Sequence, residues 1–159
     1  ELSRAESEPV DIATLLRMLA DINNSSDAAG APRIELDLPL HDNLSVIGLE
    51  GRLAQVLRNL IGNAASFSPE DGKIFISARR DQGHIIIDVK DDGPGIPSGK
   101  EQAVFSRFYS ERPEKEKFGT HSGLGLSISK QIVEAHRGSI TAENASTGGA
   151  LFIVRLPAS

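Results

Sequence analysis

The sequence predicts an α/β (α+β) two-layer sandwich, in which three helices cover one face of a mixed sheet. Segments with apolar residues at helical spacing alternate with segments rich in β-branched residues. Their order is helix, strand, strand, helix, hairpin, helix, hairpin. The 159 residues are enough for one domain with a substantial core and too few for two.

The first part of the chain is predicted to form a helix and two short strands. Residues 1–8 are polar, and we expect them to be frayed. Residues 10–22 carry apolar side chains at helical spacing, whereas residues 23–32 have the composition of a loop. Residues 34–38 alternate apolar and polar side chains as a half-buried strand does, and a short strand follows at 45–48.

The middle of the chain is predicted to form the second helix and the first hairpin. From residue 51 to residue 64 the apolar side chains form one stripe. Residues 73–78 and 84–91 are rich in isoleucine, and the turn RRDQG between them indicates an antiparallel hairpin. Residues 102–109 are expected to form a short helix.

The last part begins with a segment that has no regular pattern. Residues 110–122 mix charge, proline and glycine without apolar periodicity, which predicts a mobile loop. Residues 123–136 form a predicted helix that opens with glycines. Residues 138–144 and 149–156 are expected to form a second hairpin around STGG.

Composition excludes several classes of protein. The net charge of -5 argues against a nucleic-acid partner, and the absence of cysteine excludes disulfides and cysteine-ligated zinc. The longest apolar runs, such as residues 84–89, are far shorter than a membrane span, so this piece is not expected to insert in a membrane. The chain begins with Glu1 and its one methionine is the internal Met18, so we expect an excised fragment of a longer protein.

Two asparagines lie four residues apart on the second predicted helix. Because residues i and i+4 share a helix face, the carboxamides of Asn59 and Asn63 point the same way. Their oxygens suit a hydrated Mg²⁺ ion, which prefers hard oxygen ligands and keeps several waters. The alternative is that they are two polar residues on a solvated helix edge.

Two glycine-rich stretches follow the asparagines. In DxGxG at 91–95, Asp91 precedes a turn whose glycines let the backbone approach a ligand, so its carboxylate can accept a hydrogen bond from an adenine amino group. Alternatively, Asp91 or Asp92 only caps a Gly-Pro-Gly bend. In GLGL at 123–126, backbone amides at a helix start favour phosphate, or the glycines are only a helix cap. The three features in this order predict a nucleotide site.

Four segments carry a specific resemblance to a known family. NLIGNA at 59–64, DDGPGIP at 91–97, FSRFY at 105–109 and SGLGLSISK at 122–130 resemble the N, G1, F and G2 boxes of the histidine-kinase catalytic domain. This domain belongs to the GHKL ATPases and has the Bergerat ATP-binding fold. The resemblance covers residues 9–157. Within the family, the run SGLGLSISKQIVEAH and the serine at position 66 resemble the ChvG-type kinases of alphaproteobacteria.

The resemblance implies roles for individual residues. Asp91 would read adenine, Asn63 would be the leading Mg²⁺ ligand and Asn59 the second, and Arg107 would reach phosphate from the F box. Phe105 and Phe108 are interpreted as core residues. Residues 110–122 would form the ATP lid. The other residues implied in nucleotide binding are Ser66, Gly93, Gly95, Ile96, Tyr109, Thr120, His121, Ser122, Gly123, Leu124, Gly125 and Leu126.

The chain departs from the family pattern at two positions. Ser66 replaces a basic residue, so one phosphate-neutralising charge is absent, and Arg137 replaces the first glycine of a pair, which we expect to be a surface-level change. Asn59 occupies the place of the glutamate base of ATP-hydrolysing relatives. Since an amide cannot take a proton from water, Asn59 implies transfer to histidine and slow hydrolysis.

The resemblance also implies partners. None of His41, His84, His121 and His136 stands in an HExxxP-like setting, so we expect the phosphoacceptor on the missing dimerisation domain of the same parent protein, from which residues 1–8 are a linker. A response-regulator receiver domain would be the second partner. The fragment is expected to be a monomer and the parent a homodimer, with this domain on the cytoplasmic side of the inner membrane. The alternative is a transfer-deficient nucleotide-sensing module.

Overall fold

The computed structural model describes residues 7–25, 32–69, 71–106 and 125–159. The strands are β1 (Glu8–Asp11), β2 (Arg33–Asp37), β3 (Ser45–Gly48), β4 (Lys73–Asp81), β5 (His84–Lys90), β6 (Ser139–Asn144) and β7 (Ala150–Pro157). The helices are α1 (Ile12–Asn24), α2 (Glu50–Phe67) and α3 (Gly125–Ala135), and Ala103–Phe105 form a single 3₁₀ turn.

Five strands form one mixed sheet in the order β2-β4-β5-β7-β6. β2 pairs with β4 in parallel, and the other three pairs are antiparallel. Both predicted hairpins are therefore present, as β4–β5 and β6–β7. The mixed sheet and the three helices confirm the predicted two-layer fold class.

Helix α1 begins and packs as its sequence dictates. The Asp11 carboxylate caps the helix by accepting a hydrogen bond from the Ala13 amide at 3.1 Å. Ile12 and Leu16, one turn apart, are fully buried. At the other end, the Asn24 side chain donates to the Ile34 carbonyl and accepts from the Ile34 amide, which fixes α1 to β2.

The hydrophobic core lies between the helices and the sheet. On β4, Ile74, Ile76 and Ala78 are buried while the alternate residues face outward. Ile85 and Ile87 of β5 extend the same core, and the aliphatic stripe of α2 packs against it. None of the helices in the described part of the chain has the length and apolar character needed to cross a bilayer.

The sequence predictions were wrong in two local details. Residues 8–11 form strand β1, which pairs antiparallel with β3 as a separate two-stranded sheet, whereas the sequence predicted a frayed segment followed directly by a helix. Of the helix expected over residues 102–109, only the turn at 103–105 forms among the described residues. The predicted loop at 110–122 lies outside them.

Candidate nucleotide-binding site

Asp91 lies immediately after β5, at the edge of the sheet, and is only 1% exposed. Its Oδ1 accepts hydrogen bonds from the amides of Gly93 at 2.8 Å and Ala150 at 3.1 Å. Its own amide donates to the Ala150 carbonyl at 3.0 Å. Asp91 therefore does cap the bend that follows it, as the alternative interpretation of the sequence held, but it does so with one carboxylate oxygen only.

The second oxygen of Asp91 remains available for a ligand. Within the described residues, Oδ2 receives no hydrogen bond from the protein. Burial raises the pKa of this carboxyl, while the bonds from Ala150 and Gly93 and the nearby Lys90 oppose the rise. A buried carboxylate with one open acceptor is suited to a neutral donor such as an exocyclic amine.

Asp92 has a different environment from its neighbour. Its Oδ2 accepts a hydrogen bond from the Lys73 amide at 3.0 Å, and its Oδ1 lies 3.6 Å from the Lys90 ammonium. These contacts fasten the loop to the start of β4. Asp92 is therefore a structural carboxylate, and it provides a natural comparison for Asp91.

The loop after Asp91 fits closely against its surroundings. A Cβ on Gly93 would lie 2.6 Å from the Phe67 carbonyl oxygen, at the end of α2. Gly95 has φ of +87°, a left-handed conformation that side chains rarely adopt. The two glycines of the DxGxG stretch are thus required by close approach and by backbone conformation. Ile96 is buried beside them.

The β6–β7 hairpin supports this loop, which sequence reasoning did not foresee. The Asn144 carboxamide accepts from the Ile96 amide at 2.7 Å and donates to the Ile96 carbonyl at 3.0 Å. At Gly149 a Cβ would collide with the Asp91 carbonyl oxygen. The sequence signal that could have indicated this support is the pair of glycines before β7. Their positive φ values shape the hairpin turn.

The two asparagines of α2 occupy different environments. Asn63 is 4% exposed, whereas Asn59 is half-buried. The Asn59 Nδ2 donates to the Gly125 carbonyl at 3.2 Å and to the Ser129 hydroxyl at 3.1 Å, both on α3. The structure therefore brings the first asparagine next to Gly125, the last glycine of the GLGL stretch.

The donor set is compatible with Mg²⁺ held mainly by a substrate. Across the four described stretches, no group of three or more His, Cys, Asp or Glu side chains could hold a metal ion. The Asn59 Oδ1 accepts no hydrogen bond from another described residue. Carboxamide oxygen is a hard ligand, and Mg²⁺ typically takes one or two protein ligands together with phosphates and waters.

Ser66 is a buried polar residue one turn after Asn63. It is 8% exposed, and its hydroxyl has no hydrogen-bond partner among the described residues. The Ser68 hydroxyl, at the end of the same helix, is also buried and without a hydrogen-bond partner among the described residues. Because buried hydroxyls are normally satisfied, these two groups at the end of α2 are available to accept or donate a hydrogen bond.

Other predicted residues divide between the core and the undescribed segments. Leu126 packs in the core, and Phe105 makes an edge-to-face contact with Phe152 at 6.0 Å, which confirms that Phe105 is a core residue. The predicted site residues that lie outside the described part of the chain are Arg107, Tyr109, Thr120, His121, Ser122, Gly123 and Leu124. Phe108 and the predicted lid lie there too.

His136 has a structural role. The Leu49 amide donates to its Nε2 at 3.1 Å, so this nitrogen must be unprotonated and Nδ1 donates to the Ile132 carbonyl at 2.8 Å. A Cβ on Gly48 would lie 2.5 Å from the ring. The buried imidazole thus connects the end of α3 to the start of α2.

Comparisons with known proteins agree with this geometry. Residues 48–159 match the family described as histidine kinase-, DNA gyrase B-, and HSP90-like ATPase. Sensor protein ChvG of Rhizobium meliloti is 41% identical over 99% of this chain and 29% of its own length. The chain thus spans less than a third of that relative.

Solved structures match over the whole domain. The catalytic domain of histidine kinase ThkA has a TM-score of 0.80 at 27% identity, with 96% of this chain and 97% of that chain covered. A structure of ThkA in complex with the response regulator TrrA gives 0.79 at 27% identity, covering 96% of this chain and 42% of that one.

Proposed function

The chain belongs to the family of histidine kinase-, DNA gyrase B- and HSP90-like ATPases, as an ATP-binding catalytic domain of the histidine-kinase type, and we propose that it binds Mg-ATP and transfers the γ-phosphoryl group to a histidine on a separate domain. That domain would be the dimerisation and phosphotransfer domain of the same parent protein. The parent would then pass the phosphoryl group to a response-regulator receiver domain.

The observation that carries the proposal is the divided use of the Asp91 carboxylate. Oδ1 is held by two backbone amides, which leaves Oδ2 to accept a hydrogen bond from the adenine 6-amino group. Gly93 and Gly95, which pack closely against Phe67 and Asn144, would hold the loop backbone beside the edge of the base. Ile96 supplies apolar surface next to them.

The phosphate end of the nucleotide would lie between α2 and the start of α3. Asn63, with Asn59 second, would hold Mg²⁺, whose charge would offset that of the phosphates. The amides of residues 123–126 would meet phosphate oxygens at the helix start. Arg107 would add a positive charge, and the buried hydroxyl of Ser66 would gain a partner there.

Transfer is favoured over hydrolysis because the site lacks a base at the decisive position. The Asn59 amide nitrogen is already a donor to Gly125 and Ser129, and an amide cannot accept the proton of attacking water. A neutral imidazole brings its own lone pair and needs no such base. The acceptor histidine is expected outside this domain, and His136 in particular uses both ring nitrogens structurally.

A transfer-deficient nucleotide sensor is the second candidate function. It is favoured by Ser66, which puts a small neutral side chain where a phosphate-neutralising cation is expected. In that case ATP would only order the lid and alter docking to the parent protein. In both cases we propose a monomeric domain of a homodimeric sensor kinase, on the cytoplasmic side of the inner membrane.

Two measurements test the proposal. Calorimetric titration with ATP, with and without Mg²⁺, is expected to show magnesium-dependent binding. The phosphotransfer domain of the parent protein is then added with radiolabelled ATP, and acid-labile phosphohistidine on that added domain is the expected product. Binding without transfer would favour the sensor module. No binding at millimolar ATP would contradict both candidates.

A further inference from the structure

Asn144, the last residue of β6, makes a pair of contacts with one residue of the candidate site. Its Oδ1 accepts from the Ile96 amide at 2.7 Å, and its Nδ2 donates to the Ile96 carbonyl at 3.0 Å. One side chain thus satisfies both backbone groups of a loop residue that lies 48 positions away in the sequence. We call this arrangement the Asn144 clamp.

The neighbouring loop residue is shaped to admit the clamp. A Cβ built on Gly95 would lie 2.5 Å from the Asn144 Oδ1, a distance that no side chain can occupy without displacing the carboxamide. The positive φ of Gly95 turns the backbone so that Ile96 presents its amide to Asn144. The glycine and the asparagine therefore form one unit.

The same hairpin also holds the other end of the loop. Ala150, the first residue of β7, donates to Asp91 Oδ1 and accepts from the Asp91 amide. The loop from Asp91 to Ile96 is thus fixed at both ends by β6 and β7. Between these fixed points lie the residues proposed to meet adenine.

We propose that Asn144 is a positioning residue of the nucleotide site, which sets the loop in its binding conformation before adenine arrives. The inference rests on the proposed function. A preformed loop removes the ordering cost that binding would otherwise include. Asn144 is an exposed residue and lies outside the hydrophobic core, so its replacement alters the clamp and leaves the core intact.

Asn24 provides a matched control within the same chain. Its carboxamide accepts from the Ile34 amide at 2.8 Å and donates to the Ile34 carbonyl at 3.0 Å, the same pattern at similar lengths. This second clamp joins α1 to β2, the edge strand farthest in sheet order from β6. Asn144→Ala deletes two hydrogen bonds, and Asn24→Ala deletes the two equivalent bonds together with one that the Asn24 Oδ1 accepts from the Asn23 Nδ2 at 3.1 Å. Only the Asn144 clamp supports the site.

The test compares Asn144→Ala with Asn24→Ala by calorimetry with Mg-ATP and Mg-ADP, at a temperature well below both melting transitions. We expect Asn144→Ala to weaken both nucleotides roughly tenfold, about 1.4 kcal/mol. Equal effects on ATP and ADP are expected because the loop meets the base and not the γ-phosphate. Asn24→Ala should keep wild-type affinity despite a comparable loss of melting temperature.

Each outcome decides the question. Unchanged affinity in Asn144→Ala, or equal losses in both variants, would overturn the positioning role while leaving the proposed function intact. A wild-type protein that fails to bind ATP would overturn the proposed function and this inference together. If Asn144→Ala does not fold, Asn144→Asp takes its place under the same criteria, since aspartate can still accept from the Ile96 amide.

Discussion

The replacement Asp91→Asn separates adenine recognition from folding. The asparagine Oδ1 can still accept the Gly93 and Ala150 amides, so the loop keeps both hydrogen bonds. At the place of Oδ2, however, the variant carries an NH₂ group. That group and the adenine amine are both hydrogen-bond donors, so the hydrogen bond between residue 91 and adenine is lost.

The magnitude follows from the kind of bond removed. A hydrogen bond to a charged group contributes about 1.5–3 kcal/mol, so ATP affinity should fall roughly tenfold to hundredfold. The free energy of unfolding, in contrast, should rise in the variant relative to wild type as the pH increases. Because the folded pKa of Asp91 is raised, its contribution to folding is fully present below the ordinary value of 3.8 and is lost as pH rises through the folded pKa. An asparagine at position 91 does not titrate, so the variant does not lose stability in this way as the pH rises.

Calorimetry with Mg-ATP and urea unfolding at pH 4 and pH 7 measure the two effects. The free energy of unfolding of Asp91→Asn, relative to wild type, should increase between pH 4 and pH 7. The control is Asp92→Asn, which should bind ATP within a few-fold of wild type because, among the described residues, the polar contacts of Asp92 are with Lys73 and Lys90. Undiminished affinity in Asp91→Asn, or its unfolding at pH 7, would refute the divided use of the carboxylate.

Four further changes test single features of the domain. Asn59→Asp replaces the donor to α3 with an acceptor, so the free energy of unfolding should fall by about 1–3 kcal/mol; an unchanged urea midpoint would mean that this bond is unimportant in solution. His136→Ala leaves the Leu49 amide unpaired and opens a cavity, and should cost about 2–4 kcal/mol by the same measurement. Ser66→Ala should raise apo stability by up to about 1 kcal/mol and lower ATP affinity severalfold, whereas unaltered affinity would remove Ser66 from the site. Arg137 has φ of +64° on the surface, so Arg137→Gly should stabilise the fold by about 0.5–1 kcal/mol, and a lower melting temperature would contradict this.

The sequence predicted most of the fold because periodicity is a local signal. The three helices and both hairpins were placed within a few residues of their observed bounds. Strand β1 was missed because it has four residues, of which only Val10 is buried, and because it is stabilised by pairing with β3 far along the chain. A four-residue strand carries too little alternation to be distinguished from a helix start.

The candidate site was predicted in outline for a similar reason. Asp91, Asn59 and Asn63 are visible in the sequence because their spacing has a chemical meaning. Asn144 carries no such pattern, since its role depends on a contact with Ile96 across the fold. The split function of the Asp91 oxygens was equally invisible, because it requires knowing which amides approach the carboxylate.

The support of the loop by the β6–β7 hairpin has a consequence for synthesis of the chain. The contacts that fix the loop join residues 48 and 59 positions apart, from Ile96 to Asn144 and from Asp91 to Ala150. Such non-local pairs carry a larger loop-closure entropy than local ones, so we expect them to form late in folding. A nascent chain released only as far as Ile96 therefore has Asp91 and its loop, but neither Asn144 nor Ala150 to fix them. Nucleotide therefore cannot assist the early steps of folding, because the loop that would bind it is fixed only when the final hairpin forms.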